Sequence, residues 1–440
     1  MDTRPEHTPT SETLTGDPKE RFIPIDRTAI FERLLSSGVW GAHEVDEARI
    51  VLSYIARVRQ QDSCLSLDRL AHLYDPFNPD DETINSTEAD AETRVMLLGD
   101  LVGELKKLFE GANYSSIDEK QLEKILAESS PEGVSVDVDL TDFDFTLLYS
   151  RGETTEKRER RSLETFFMKK EFEIDLYRRF VMAIKLKPDD IRLKEIMKKE
   201  DIGLQKAEKR LAKMRADLPK GATSDKIYIK MFKYIPRQDL EMLFPNTKIK
   251  LKYWDKVRLW ITAGGTTVFG VVTTVLKVLT AAALSPFFLL MVFFGLGGVV
   301  FRQVMNLVNT RNKYMMQLAQ NLYFHNLANN QSVLALLIDE AEEENIKEEM
   351  LLYTSLLKGS QTHGQLQRAK ADIERFLAHY WNVKIDFDVD DALQRLREDG
   401  LVADQGGNLL KPLPLADAKA LLTARWAASL DTGMAKAIAA

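Results

Sequence analysis

Cysteine is almost absent from this chain: Cys64 is the only one among 440 residues, and histidine occurs six times. A single cysteine excludes an intramolecular disulfide bond and any zinc site that is built from several thiolates. The histidines also lack the spacing that is typical of metal ligands. These shortages predict a chain without a cofactor.

Motifs for catalysis and nucleotide binding are missing as well. The chain has no Walker A loop, no dinucleotide fingerprint after a strand, no HExxH and no G-x-S-x-G. The glycine-rich run "TAGGTT" at 262–267 lies inside a long apolar segment, where it is expected to serve helix packing. The absences predict a protein that is not an enzyme.

Positive charge is not in excess, because 60 lysines and arginines face 67 aspartates and glutamates and the net charge is −7. Phosphate backbones are bound by basic surfaces, so nucleic acid is not an expected partner. The N-terminus lacks the apolar core of a signal peptide, and its polar composition predicts a disordered tail over 1–22.

One long apolar run stands out against this background. Between 259 and 301 the only charged residue is Lys277, and the run is about twice the roughly 20 residues that one helical span needs. It predicts a two-helix transmembrane hairpin over 254–310, with helices at 257–284 and 286–309. The break falls at Ser285-Pro286 or, alternatively, at Lys277. A hairpin buried in the core of a globular protein is the second interpretation.

The flanks of this run predict its orientation. Basic residues are concentrated outside the hairpin, which by the positive-inside rule places both termini in the cytoplasm. The expected location is a bacterial inner membrane, or the mitochondrial inner membrane if the chain is eukaryotic, with the lipid bilayer as a partner. The residues predicted at the membrane interface are Lys252, Trp254, Lys256, Arg258, Trp260, Lys277 and Arg302.

The remaining sequence predicts an α+β fold. Residues 23–131 carry the apolar stripes of a helical domain, and 132–253 alternate apolar and polar residues as an antiparallel sheet requires. A basic helical insert at 190–216 interrupts the sheet and is either a solvated hairpin or a surface for anionic lipid. Residues 311–360 predict a cytoplasmic αα-hairpin, with a helix that starts near Gln331.

The last segment, 361–440, predicts a winged-helix-like module. Its order is helix, helix, short hairpin, helix, with Asp388 as the candidate N-cap and Gly400 as the candidate terminator of the second helix. A winged helix suggests DNA binding. However, residues 365–431 carry nine lysines and arginines against eleven aspartates and glutamates, and the helix that would read DNA is acidic. The module is therefore predicted to contact protein.

The strongest polar cluster follows the apolar run, in "QNLYFHNLANNQ" at 320–331 and the acidic stretch after it. It comprises His325, Asn326, Asn329, Asn330, Asp339 and Glu340. Carboxylate and amide oxygens are ligands that Mg²⁺ or Ca²⁺ prefers, so a cation site is one interpretation. Asparagine also terminates helices, so a turn between two antiparallel helices, followed by a solvent-exposed acidic face, is the other.

Several stretches also carry a family resemblance. They are "YDPFNPD", "LLYSRGE", "FKYIPRQDLEMLFP", the apolar hairpin, "RNKYMMQLAQNLYFHNLANNQSVLALLIDEAEEE" and "DFDVDDALQRLREDGLV". Together they resemble the transmembrane protein 143 family and its bacterial relatives, which share a domain of unknown function. The resemblance runs from about 25 to 430, and it implies a membrane protein with two neighbouring spans and implies no activity.

These observations favour a membrane-anchored scaffold or assembly factor without catalysis, which works as a homo-oligomer or with a protein partner. One alternative is an oligomeric pore or a transporter-accessory subunit. The other is a metal-dependent enzyme that uses the Asn/Glu cluster at 325–343.

Overall fold

The fold is seen in a computed structural model of the chain. It describes residues 21–36, 38, 40–41, 43–80, 90–127, 134–161, 169–216, 218–219, 221–246, 248–251, 298, 301–302, 305, 309, 316, 322–358, 361–362, 366–405 and 409–439.

The α-helices are α1 (Arg27–Ser36), α2 (Val45–Tyr74), α3 (Ala91–Gly111), α4 (Glu119–Ala127), α5 (Asp189–Glu200), α6 (Leu204–Ala216), α7 (Gln331–Leu357), α8 (Leu366–Trp381), α9 (Val389–Glu398) and α10 (Leu415–Ala439). The strands are β1 (Ser115–Ser116), β2 (Val134–Asp137), β3 (Phe143–Arg161), β4 (Lys169–Leu186), β5 (Ile227–Pro236), β6 (Lys248–Leu251), β7 (Asn326–Asn329), β8 (Gln361–Thr362), β9 (Val402–Gln405) and β10 (Leu409–Pro412).

A five-stranded antiparallel sheet with the order β1-β3-β4-β5-β7 forms the centre of the fold. Alternate residues of its strands enter two different cores, as the two-residue period of a strand requires. Ile229 and Met231 pack with α2, α3 and α7 on one face, whereas Phe232 and Ile235 belong to the core on the other face. The predicted α+β class with an antiparallel sheet is confirmed.

The α5–α6 pair connects β4 to β5 and occupies the position of the predicted basic insert. It has a small core of its own, made by Ile196, Ala207 and Leu211. Arg192 ties the pair to the sheet domain, because its Nε lies 2.7 Å from Asp142 Oδ1 in a buried contact. The insert is thus a helical hairpin that is fixed at its base.

The C-terminal unit is built on the second half of α7. It adds α8, α9, the three-stranded sheet β8-β10-β9 and α10. The side chain of Asp388 accepts the N–H of Asp391 at 3.2 Å, and Gly400 has a φ of +73° after the helix end. Both residues therefore have the capping positions that the sequence predicts, while 406–408 between β9 and β10 lie outside the described residues.

Helix α7 starts at Gln331, as predicted, and links the two halves of the molecule. Its first turns, with Leu334 and Leu337, pack on the central sheet. Its last turns, with Leu352 and Leu356, pack in the core of the C-terminal unit. A single helix of 27 residues therefore contributes to both cores.

The prediction of a membrane protein is overturned. In the part of the chain that the structure describes, no helix combines the length and the apolar character needed to cross a bilayer. The longest helices, α2 and α7, carry charged residues along their lengths. The same finding corrects the predicted location in a bacterial or mitochondrial inner membrane. The hairpin at 257–309 on which the prediction depended lies outside the described residues, apart from 298, 301–302, 305 and 309.

Candidate functional site

The stretch predicted as a turn between two helices is the end of one helix followed by a strand. β7 pairs antiparallel with β5, with Asn326 opposite Phe232 and Asn329 opposite Lys230. His325 precedes the strand and places its Nδ1 2.8 Å from the carbonyl oxygen of Lys233. This arrangement corrects the predicted αα-hairpin, because pairing with β5 satisfies the backbone groups of this stretch.

Asn330 fixes the corner between β7 and α7. Its φ of 51° and ψ of −125° form a conformation that is costly for a residue with a Cβ. The backbone N–H donates to the carbonyl of Ile229 at 2.6 Å, and Oδ1 accepts the N–H of Ile229 at 3.1 Å. Nδ2 donates to Asp80 Oδ2 at 2.6 Å. The carboxamide thus joins β5, the turn at Asp80 and the start of α7.

Replacing Asn330 with alanine is expected to lower the free energy of unfolding by about 2–3 kcal/mol, because a buried N–H of Ile229 loses its acceptor while the strained backbone remains. Asn329→Ala is the matched control and should change it by less than about 0.5 kcal/mol, since Asn329 is exposed. Urea denaturation of both variants measures the difference. Equal losses in the two variants would contradict the role assigned to Asn330.

Glu340 binds side chains from the sheet. Its Oε2 lies 3.1 Å from Arg151 Nη2 and accepts the hydroxyl of Tyr114 at 2.7 Å, and its Oε1 accepts from Arg179 Nε at 3.4 Å. Burial raises the pKa of Tyr114 well above its usual range, so this hydroxyl is a permanent donor. The neighbouring Asp339 is exposed. Glu340 therefore holds α7 against the sheet.

The predicted cluster is not brought together at one point. His325 faces the end of β5, Asn330 faces Ile229 and Asp80, and Glu340 faces Tyr114 and the arginines. Among the described residues, no group of three or more histidine, cysteine, aspartate or glutamate side chains is placed to hold a metal ion. The cation site suggested by the cluster is therefore not assembled in this fold.

Tyr114 and Arg151 also line an open cleft of about 600 Å³ between the end of α3 and the middle of β3. The cleft is lined by Arg21, Glu110, Asn113, Tyr114, Ser115, Ser116, Tyr149, Ser150, Arg151, Gly152 and Glu153. Arg151 is its buried cation, and its guanidinium group is already engaged by Glu340 and by the carbonyl oxygen of Ala112. The cleft is polar, but this cation is not available to bind an anionic ligand.

The most unusual electrostatics of the described chain lie in the second half of α7. The sequence predicts a solvent-exposed acidic face there, yet Glu344, Lys347, Glu348 and Glu349 are at most 2 % exposed. The prediction is wrong because arginines that are distant in the chain cover Glu348 and Glu349, and the backbone of Ile23 covers Glu344 and Lys347. We call the set Arg59, Glu348, Glu349, Arg395 and Asp399 the α7 charge junction.

The α7 charge junction joins three helices. Arg395 of α9 places its Nε 3.0 Å from Glu349 and its Nη2 2.5 Å from Glu348. Arg59 of α2 places its Nε 2.9 Å from Glu349 and also contacts Asp399. Each arginine thus bridges two buried carboxylates, so α9 is fixed to both α2 and α7.

Burial dominates the protonation of these carboxylates. It raises the pKa of Glu348 to about 8 and that of Glu349 to about 7, against the lowering effect of the neighbouring arginines. Raised pKa values of this kind are common in catalytic sites. Here the partners of both carboxylates are arginines of α2 and α9, which join helices to one another. The α7 charge junction therefore has a structural role, because it positions the C-terminal unit.

The other side of α9 is exposed and acidic. Val389, Leu393 and Leu396 point into the core. The exposed positions of the helix are Asp390, Asp391, Gln394 and Glu398. In a winged helix this is the face that would approach DNA, and its negative charge opposes a phosphate backbone. We call these four residues the α9 acidic face.

The residues predicted at a membrane interface cannot be placed on the fold as a group. Lys252, Trp254, Lys256, Arg258, Trp260 and Lys277 lie outside the described residues. Arg302 is described, and it is helical and exposed.

Part of the chain is similar to a known sequence family. Residues 149–332 match the family described as "Protein of unknown function (DUF3754)". The match covers most of β3, all of β4, β5 and β7, the α5–α6 pair and Asn330. It confirms the predicted domain of unknown function, whereas the transmembrane protein 143 family stays a prediction. No solved structure matches the chain.

Proposed function

We propose that the chain is a scaffold or assembly factor without catalytic activity, and that it presents the α9 acidic face to a protein with a basic surface. The observation that carries this proposal is the α7 charge junction, which fixes α9 with one face buried and the acidic face outward. A rigidly held charged helix is suited to binding, because little conformational entropy is lost on association.

The polar residues that suggested catalysis give further support. Asn330 and Glu340 each have their polar atoms engaged by partners within the fold. A general acid or base must be free to reach a substrate proton. Structural contacts therefore explain these residues without a reaction.

Charge on the α9 acidic face supports protein over DNA as the partner. Complementary charge raises association rates and makes binding sensitive to salt. A partner with lysines and arginines on its surface, or a basic region on a second copy of this chain, has the required chemistry.

The test compares two double charge reversals of the full chain. Asp390→Lys with Glu398→Lys inverts the α9 acidic face and is expected to weaken assembly by at least about tenfold. Glu208→Lys with Asp417→Lys makes the same change in charge at exposed positions on α6 and α10, and should leave assembly intact. Light scattering of the purified particles gives their masses. Equal masses for both variants and the unmodified chain would argue against the α9 acidic face as the contact.

The resemblance to the transmembrane protein 143 family is also retained as a proposal. It is supported by the segment "FKYIPRQDLEMLFP", which lies within the matched residues 149–332.

A further inference from the structure

Residues 21–25, "RFIPI", lie across α7 without helical or strand structure, and we call them the strap. The N–H of Ile23 donates to Glu344 Oε2 at 2.9 Å, and the carbonyl of Ile23 accepts from Lys347 Nζ at 2.7 Å. A carboxylate and an ammonium group, three residues apart on one helix, thus recognise both backbone groups of a single residue.

Side chains of the strap occupy defined positions. Ile23 is fully buried, and Ile25 enters the same core as α1, α2 and α7. The ring of Phe22 lies 4.1 Å from the Arg151 guanidinium and 5.1 Å from Lys347 Nζ. Arg21 Nη1 lies 2.9 Å from Asp388 Oδ2, at the cap of α9. The strap therefore contacts the sheet, α7 and the C-terminal unit.

Pro24 prepares the strap for this position. Proline restricts its own φ and keeps the preceding Ile23 extended. The N–H of Ile25 donates back to the Ile23 carbonyl at 2.8 Å, which closes a three-residue turn. A peptide that is fixed in its bound shape loses less entropy on binding. The strap thus has the features of a preorganised peptide ligand.

The groove also requires a ligand. Glu344 and Lys347 contact each other and are almost inaccessible to solvent. A buried ion pair is tolerated when further hydrogen bonds satisfy its remaining polar atoms. The backbone of Ile23 supplies such bonds, so removing the strap would leave this pair incompletely satisfied.

We propose that this part of α7 is a peptide-binding groove, that the strap is its resident ligand, and that it accepts in trans a peptide of the same chemistry. That chemistry is a basic residue, an aromatic residue, an isoleucine-proline pair and a second aliphatic residue. The covalently attached strap has a high effective concentration, so it excludes other peptides until it detaches. The inference is independent of the assembly role, since such a groove can regulate a protein of any activity.

Hydrogen exchange of the unmodified full chain tests whether the strap detaches. The amide of Ile23 is expected to exchange at least about 100-fold faster than the amide of Leu352 in the buried part of α7, because local opening needs less free energy than global unfolding. Equal exchange rates for the two amides would overturn the proposal.

Peptide binding tests the groove itself. A fluorescent peptide of residues 21–29 is titrated into the full chain carrying Phe22→Ala and Ile23→Ala, which weaken the strap. Binding should saturate, be at least about tenfold tighter than to the unmodified chain, and disappear when Lys347→Met is added. The same peptide with Ile23→Asp is the control and should not bind.

The absence of binding to the weakened-strap chain, or binding that Lys347→Met leaves unchanged, overturns the groove. If this chain does not fold, Arg21→Ala with Phe22→Ala replaces it, because that pair keeps Ile23 in the core. For the chain with Arg21→Ala and Phe22→Ala, the same two results would overturn the groove: no binding of the peptide, or binding that Lys347→Met leaves unchanged.

Discussion

Replacing Arg395 with methionine should lower the free energy of unfolding at pH 8 by about 3–5 kcal/mol, because it leaves the buried Glu348 without an arginine partner and leaves Glu349 with Arg59 alone. Arg395 is the residue that contacts both Glu348 and Glu349. Methionine keeps much of the side-chain volume, so the loss reports charge pairing more than packing. Urea denaturation of the full chain measures it.

Arg397→Met on the same helix is the matched control. Arg397 pairs with Asp404 at 2.9 Å, and both side chains are partly exposed. A pair of this kind contributes at most about 1 kcal/mol, so the variant should lose little. Adding Glu348→Gln to Arg395→Met should recover part of the loss, since the buried acid that has no arginine partner is then gone. A loss of similar size for both arginines would refute the special role of Arg395.

Stability is also expected to fall by at least about 2 kcal/mol as the pH rises from 5 to 8, since each unit of raised pKa corresponds to about 1.4 kcal/mol. The folded chain keeps protons on Glu348 and Glu349 up to pKa values of about 8 and about 7, whereas glutamate ordinarily releases its proton near 4.5. The folded state therefore binds more protons than the unfolded state across this interval. Stability decreases with pH wherever that is so.

Groups with lowered pKa values affect the stability of the fold in a different pH interval. Hydrogen bonds hold the pKa of Asp26, Asp90 and Glu195 below the usual range, so their contribution is present near neutral pH and lost as the pH falls through their folded values. The two effects together predict a stability maximum near pH 5. Urea denaturation between pH 4 and pH 9 measures the curve.

Glu348→Gln combined with Glu349→Gln isolates the cause of the decline. Glutamine keeps the shape of the protonated side chain and has no proton to lose, so the decline between pH 5 and pH 8 should become much shallower. Glu208→Gln, at an exposed position on α6, should leave the curve unchanged. A decline that persists when both glutamates are replaced would assign the pH dependence to other groups.

Local patterns in the sequence were sufficient for much of the fold. Alternating residues mark β5, where Ile229 and Met231 face one core and Phe232 the other. Asp388 and Gly400 mark the ends of α9 because a cap needs a side-chain acceptor and a terminator needs a positive φ. Such signals depend on neighbouring residues only, so they are readable without the tertiary structure.

The candidate site depended on contacts that are distant in the chain. Arg59 and Glu349 are 290 residues apart, and no local pattern records that they meet. One signal was present: the apolar residues Ile346, Met350 and Leu351, which are buried, occur among or directly after the acidic residues of α7, so this part of the helix is not uniformly polar. The four-residue β7 offered no comparable signal, because Asn326 and Asn329 are poor strand formers that pairing with β5 stabilises.

The mass of the native particle that contains this chain tests the assembly role most directly. A chain that works as a scaffold should be recovered at a multiple of 50.1 kDa or with a second protein in fixed ratio, and high salt should reduce that mass by screening the α9 acidic face. Recovery of a single chain of 50.1 kDa at every salt concentration would contradict the proposal.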